Sequence, residues 1–197
     1  MWDQRYDTDQ YIYGTKPNDF LAAQIDALPS AGKVLCLADG EGRNGVFLAS
    51  RGHRVTSVDA SAVGLNKARQ LAASMDVEIE TIVADLAQFD LGQGRWDAIV
   101  SIYCHLPPSL RQQVHAAAVQ ALAPGGVMLL EAYTPAQLQY RTGGPPVEAL
   151  MMTADGLRQE FEGLDFEILH EIERDVVEGV GHKGHAAVVQ VVARKKG

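Results

Sequence analysis

Short apolar runs of strand length alternate along the chain with longer stretches in which apolar residues recur at helical spacing, the order expected of parallel strands joined by crossover helices. A first strand is predicted over Lys33–Leu37 (KVLCL), followed by the turn Ala38–Gly42 and a helix from Arg43 to Ser50. His53–Val58 (HRVTSV) reads as a second strand ending at Asp59, with Ser61 as the N-cap of a helix to Ala73. Val77–Val83 is a third strand and Asp97–Tyr103 (DAIVSIY) a fourth. After Pro107-Pro108 a helix over Leu110–Leu122 is ended by Pro124-Gly125-Gly126, and Val127–Tyr133 is a fifth strand. A loop rich in Gly and Pro (Arg141–Pro146) and a short helix near Thr153–Phe161 precede two β-like segments, Asp165–Asp175 and His185–Ala193. Only Glu178–Gly184 joins these two, which leaves no room for a crossover helix, so they are expected to pair antiparallel. The expected fold is α/β, a Rossmann-like three-layer sandwich with a seven-stranded mixed sheet whose last strand is antiparallel.

Composition narrows the class. With 197 residues, 47% hydrophobic and 21% charged, the chain has the makings of one domain with a real core, and neither a repeat nor a long linker interrupts it. Seventeen Lys and Arg against twenty-five Asp and Glu give a net charge of -8, so no basic field is available for a phosphate backbone and nucleic acid is not an expected partner. The start, MWDQRYDTDQYIYG, lacks the basic-then-apolar order of a signal peptide, and no apolar stretch approaches bilayer length, which predicts a soluble, cytoplasmic protein without a membrane partner. Cys36 and Cys104 each fall in an apolar run and read as buried thiols, not as a disulfide framework.

Gly40-Glu41-Gly42-Arg43-Asn44-Gly45 satisfies G-x-G-x-x-G directly after a strand and opens a helix, the context that gives this short pattern weight. Gly40 and Gly42 let the backbone approach a ligand, and the following helix presents unpaired N–H groups to an anion. Nineteen residues past Gly40, Asp59 ends the second strand where a carboxylate can accept from both hydroxyls of a ribose. Nicotinamide dinucleotides and S-adenosylmethionine both use this constellation. A dinucleotide needs a second parallel half, which a chain closing on an antiparallel pair lacks, and Asp85 in Val83-Ala84-Asp85-Leu86 stands where an adenine amino group would arrive.

The order VLCLADGEGRNGVFLA, VTSVDAS, VADL, WDAIVSIY and LAPGG resembles the class I S-adenosylmethionine-dependent methyltransferases over residues 33 to 133. WDQRYDTDQYIYGTKPNDFL at the start and GHKGHAAVVQVVARK at the end look like bacterial small-molecule enzymes of the tellurite-resistance and thiopurine-methyltransferase-like type. The resemblance implies S-adenosylmethionine as cofactor and S-adenosylhomocysteine as product. It also implies a cofactor-binding core over 33–133, an aromatic arm over 1–30, and a substrate loop and hairpin over 134–197 within one domain spanning 1–197. It puts Ala38, Asp39, Gly40, Glu41, Gly42, Arg43 and Asn44 at the methionine side, Asp59 with Ala60 and Ser61 at the ribose, and Asp85 with Leu86 at the adenine. Tyr13, Ile102 and Tyr103 complete the expected cofactor contacts. The family usually carries an acid at the position of Cys36 and Gly followed by Cys or Ser at Ala38-Asp39; this chain departs there, and Asp39 could itself face the ammonium group.

For methyl transfer the protein mainly supplies position and desolvation, and a base matters more as the acceptor pKa rises. Tyr103 and His105, after the fourth strand, are the candidate catalytic residues; His105 is equally readable as a packing residue at a helix start. The Asn/Asp-Pro-Pro-aromatic motif used on amide or base nitrogens is absent there, which points to a small-molecule acceptor with a soft or anionic atom, a thiol or a tellurite or selenite type of oxyanion. Trp2, Tyr6, Tyr11 and Tyr13 crowd the first thirteen positions, either to cover a sulfonium cation or simply to dock the arm. Trp2, Tyr6, Tyr133, Tyr140, Arg141 and His182 are the candidate substrate-pocket residues. His182 and His185, three apart in an extended segment, do not share a face, so no metal site is expected. A nicotinamide-dependent oxidoreductase and a noncatalytic nucleoside-binding domain remain as alternatives, and either a monomer or a homodimer fits.

Overall fold

A computed structural model describes residues 2–197. Seven strands form one sheet: β1 Lys33–Leu37, β2 Arg54–Asp59, β3 Glu80–Val83, β4 Trp96–Ile102, β5 Leu122–Tyr133, β6 Leu164–Glu178 and β7 His182–Lys195. Their spatial order is β3-β2-β1-β4-β5-β7-β6, with β1 to β5 parallel and β7 antiparallel to both β5 and β6. The helices are α1 Trp2–Tyr6, α2 Asp19–Ala23, α3 Arg43–Ser50, α4 Ala62–Ser74, α5 Pro108–Ala121 and α6 Ala154–Glu160.

The period-two side-chain alternation of the strands explains the layers. Leu35 and Leu37 of β1 join Ile99, Met128 and Leu130 in a core that includes Val114 and Ala118 of α5 and Leu157 of α6. Val34 and Cys36, on the other face of the same strand, join Ala98, Val100 and Leu129 beneath Leu21 of α2 and Leu48 of α3. Both faces of the central strands are therefore dry. The strand order reverses between β1 and β4, and in open parallel sheets that reversal leaves a crevice outside the carboxyl ends of the strands, where ligands bind.

Several boundaries differ from expectation. β3 covers only Glu80–Val83 instead of Val77–Val83, because Asp76 takes φ 58 after α4 and the strand lies at the sheet edge with Val83 55% exposed. β2 starts at Arg54, one residue later than expected, and ends at Asp59 as expected. The largest change is at the C-terminus: β6 and β7 extend through Glu178 and from His182, so the connection is Gly179–Gly181 alone. Of the glycines read as a loop, Gly184 belongs to the ribbon instead: it takes φ 130 within β7, where an added Cβ would press on Thr142.

Candidate active site

The floor of the crevice is the turn after β1. Ala38, Gly40 and Gly42 all have positive φ (50°, 56° and 83°), a conformation free to glycine and costly for Ala38. Each glycine of the pattern has a separate steric reason. A Cβ on Gly40 would lie 2.6 Å from the Tyr6 hydroxyl, one on Gly42 would run into Ala68 of α4, and one on Gly45 would meet the Ser57 hydroxyl of β2 at 2.5 Å. Gly42 also starts α3 without a side chain of its own to cap it, and Asp39 takes only the Gly45 amide, so the Arg43 and Asn44 amides at the start of that helix are available to an anion.

Two carboxylates sit on this floor. Asp59 is 6% exposed and accepts from Gly40 N (2.9 Å) through one oxygen and from Ser61 N (2.8 Å) through the other. The amides fix its orientation while a second lone pair on each oxygen stays free. Burial raises its pKa, only partly offset by those amides. Asp39 accepts from Ser57 Oγ at 2.6 Å and from Gly45 N at 3.3 Å, and burial raises its carboxyl to about 6. At the end of β3, Asp85 is exposed and uses one oxygen to accept from Ala87 N (2.9 Å).

Above the floor lies a cavity of about 550 Å³, bordered by Asp39, Asp59, Asp85, Tyr6, Tyr103 and His182 among others. Its roof is made by both ends of the chain. The arm is held at Ile12 and Tyr13, whose amides donate to Glu41 Oε2 (2.8 and 3.4 Å), and the tip of the β6–β7 ribbon docks on it through Val180 N and Gly181 N to Ile12 O (2.9 and 3.0 Å). Lys67 of α4 pins the arm from below, meeting Glu41 Oε1 at 2.5 Å and donating to Thr8 O and Gln10 O (3.0 and 2.6 Å). One end of the cavity is a box of rings: Tyr103 stacks on Tyr133 (4.6 Å between centroids), and His182 packs against Tyr13, Tyr103 and Tyr133 at 4.5 to 5.4 Å. At the mouth, the Arg5 guanidinium lies over Trp2 and Tyr13, 5.3 and 5.5 Å from the ring centres.

A nucleoside fits these groups: a fixed carboxylate with free lone pairs at the second strand end, an exposed carboxylate at the third, an uncapped helix and a glycine turn that a Cβ would obstruct. Residues 34–126 match the family described as a methyltransferase domain. Over these 93 of its 197 residues the chain is similar to that family. It is 29% identical over 117 residues to a 2-heptyl-1-hydroxyquinolin-4(1H)-one methyltransferase of Mycobacteroides abscessus, a match covering 58% of this chain and 52% of that one; the chain thus spans about half the length of this curated relative. In fold it is similar to TehB from Haemophilus influenzae (TM-score 0.72, 21% identity, 99% of this chain and 66% of the other). It is likewise similar to a structure described for the conversion of a disulfide bond into a thioacetal group during echinomycin biosynthesis (TM-score 0.80, 20% identity, 99% and 90%).

Most of the residues singled out from sequence meet in one place. Trp2, Tyr6, Tyr13, Ala38, Asp39, Glu41, Arg43, Asn44, Asp59, Ala60, Asp85, Leu86, Ile102, Tyr103, His105, Tyr133 and His182 all border the cavity. Gly40 and Gly42 shape the turn from behind, and Ser61 is instead the N-cap of α4, accepting from Gly64 N at 3.0 Å and donating to Asp3. Tyr140 and Arg141 do not border it: the Tyr140 hydroxyl donates to Glu173 (2.6 Å) on the outer side of β6, and Arg141 is exposed at φ 54. The loop carries them past the crevice and presents Gly143 to Pro146 to it instead.

His105 is placed at the cavity but is not free to take a proton. Its Nδ1 faces Leu150 O at 2.8 Å, so it is the protonated nitrogen, and Nε2 accepts from Tyr133 N at 3.3 Å. Burial holds its pKa down at about 4. Tyr103, at φ 54, donates its hydroxyl to Glu131 Oε1 at 2.8 Å, and burial together with Glu131 holds its pKa well above the usual tyrosine range. Cys104 is buried, which pushes its thiol up to about 12.

What sequence reading missed is the ionic layer that assembles the roof. Glu131, fully buried on β5, accepts from Asn18 Nδ2 (2.8 Å), Tyr103, Arg174 (2.5 and 3.1 Å) and Gln190 (2.6 Å). Glu178 accepts from Asn18 Nδ2 (2.8 Å) and pairs with Arg43 Nη2 at 2.6 Å. Two carboxylates face two guanidiniums, so the layer is neutral, as a buried cluster must be. The one signal visible in the sequence is Glu131 itself, a charge inside the apolar run VMLLEAY.

Proposed function

We propose that the protein binds S-adenosylmethionine in this cavity and transfers its methyl group to a small molecule held in the ring-lined end. The observation that carries the reading is Asp59, fixed by the Gly40 and Ser61 amides at the floor of the cavity. When bound, S-adenosylmethionine supplies an electrophilic methyl on a sulfonium. The chain's part is to bind, orient and exclude water: Asp59 accepts from the ribose hydroxyls, the free oxygen of Asp85 accepts at the adenine, and Asp39 offers charge near the amino-acid end. The ring faces of Tyr13, Tyr103 and Tyr133 suit a passing cation. On this reading 33–133 is the cofactor-binding core, with 1–30 and 134–197 supplying the cover.

The acceptor read from sequence, a soft or anionic atom, is in keeping with a cation at the entrance. Arg43 and Arg174 are consumed by Glu178 and Glu131, leaving Arg5 at the mouth as the cation that meets an arriving anion. The paired rings favour a flat body behind the reacting atom, a description that the hydroxyquinolone of the curated relative satisfies.

Calorimetric titration with S-adenosylhomocysteine, with NADH and NADPH as controls, tests the cofactor. Micromolar binding of S-adenosylhomocysteine alone is expected, and binding of a nicotinamide cofactor instead would refute the reading. A panel of 2-heptyl-1-hydroxyquinolin-4(1H)-one, aromatic thiols and tellurite, scored by methyl transfer, then tests the acceptor. Faster turnover of aliphatic amines than of any of these would overturn the acceptor class.

A further inference from the structure

His182 sits on the ribbon tip, 8% exposed, with its ring bordering the cavity and wedged among Tyr13, Tyr103 and Tyr133. Its Nδ1 is sealed from solvent without a hydrogen-bond partner and faces Glu178 Oε2 at 3.8 Å. A ligand in the cavity therefore meets the opposite edge of the ring, where Nε2 lies. Glu178 cannot drift away, since Arg43 and Asn18 hold its two oxygens. We propose that Glu178 and His182 form a proton-accepting dyad for the acceptor molecule, with Glu178 as the positioning residue behind Nδ1 and Nε2 as the group that takes the proton. The proposal rests on the methyl-transfer reading and deepens it to acceptors that carry an ionisable proton, such as a hydroxyl, N-hydroxyl or thiol.

The step balances as follows: a lone pair of the acceptor atom forms the bond to the methyl carbon, the carbon–sulfur bond breaks with its electrons going to sulfur, and the acceptor's proton passes to Nε2. The imidazolium so formed is stabilised across 3.8 Å by the fixed Glu178 carboxylate. The groups facing His182 are set for this. Burial disfavours the charged ring and Arg5 and Arg43 add to that, against the pull of Glu178, so the net direction is down and the ring waits neutral. Burial also opposes ionisation of Glu178, but His182 and Arg43 outweigh it and hold the carboxyl at about 2. The three tyrosines stay protonated, and His105, with both nitrogens occupied, does not compete.

Nitrogen-15 spectra of histidine-labelled wild-type protein at neutral pH read the tautomer without any substrate. The dyad requires His182 neutral with the proton on Nδ1, and a lower His182 pKa in Glu178→Gln. A proton on Nε2 at neutral pH, or a pKa that Glu178→Gln leaves in place, overturns it. Calorimetry with S-adenosylhomocysteine on the same sample separates the two layers: loss of that binding sinks the methyl-transfer reading, whereas binding with the wrong tautomer sinks the dyad alone. With 2-heptyl-1-hydroxyquinolin-4(1H)-one, His182→Gln is expected to lose ~10²-fold in kcat/KM, and far less with 4-nitrothiophenol, which is already ionised. Equal losses with both acceptors would mark His182 as a packing residue.

Discussion

Removing the Asp59 carboxylate separates ligand binding from scaffold work in a single residue. Asp59 accepts from two backbone amides, Gly40 N and Ser61 N, and its remaining lone pairs face the cavity. In Asp59→Ala the ribose loses a charged hydrogen-bond partner, worth ~1–3 kcal/mol, so the Kd for S-adenosylhomocysteine should rise ~5–150-fold. The two amides lose their partner as well. They border a cavity that water can enter, and the variant also sheds a desolvated carboxylate whose pKa burial has raised, so the stability loss should stay near ~1–2 kcal/mol, a few degrees in Tm. Calorimetric titration and thermal unfolding of the same preparation measure both. An unchanged Kd beside a lowered Tm would confine Asp59 to holding the glycine turn, and the proposed ribose contact would be wrong. Asp85→Ala is the control: exposed and, among the described residues, bound through its side chain only to Ala87 N, it should weaken affinity with no comparable change in Tm.

Three further expectations concern the scaffold. Glu131→Met strips five hydrogen bonds and leaves Arg174 with only its longer contacts to Glu178 (3.4 Å) and Asp19 (3.5 Å), so a loss of ~3–5 kcal/mol is expected, whereas Glu131→Met combined with Arg174→Met should recover most of it; additive losses in denaturant titrations would contradict the buried pair. Gly42→Ala combines φ 83 with a collision against Ala68 and should cost ~2–4 kcal/mol, and a variant as stable as the parent would refute the close approach of α4 to the turn. Asp39 has its folded pKa raised from 3.8 to about 6, so its contribution is fully present below pH 3.8 and is lost as the pH rises through 6. The stability of the wild type relative to Asp39→Asn should fall by at most ~3 kcal/mol between pH 4 and pH 7, solvent in the cavity screening part of it. A difference that stays flat over that range would show the carboxylate to be well solvated.

The floor of the site was legible because its causes are local. Alternation in KVLCL and HRVTSV gives two buried strands, the glycines mark a turn that no Cβ tolerates, and Asp59 follows at the end of the next strand, so strand, turn and carboxylate share one edge once the strands run parallel. The same logic, a seven-residue connection with no room for a helix, predicted the antiparallel close of the sheet. The roof was not legible. Asn18 donates to Glu131 and Glu178, 113 and 160 positions away, and no periodicity relates residues at such distances. Only the strand order, which brings β5, β7 and β6 beside the arm, decides that these charges neutralise one another and that His105 spends both nitrogens on backbone. It also decides that Tyr140 faces Glu173 while His182 faces the cavity. Local patterning follows from backbone hydrogen bonding and burial of one face, both short-range in sequence; the pairing of buried charges follows from which elements the sheet makes neighbours, and that is a property of the packed chain.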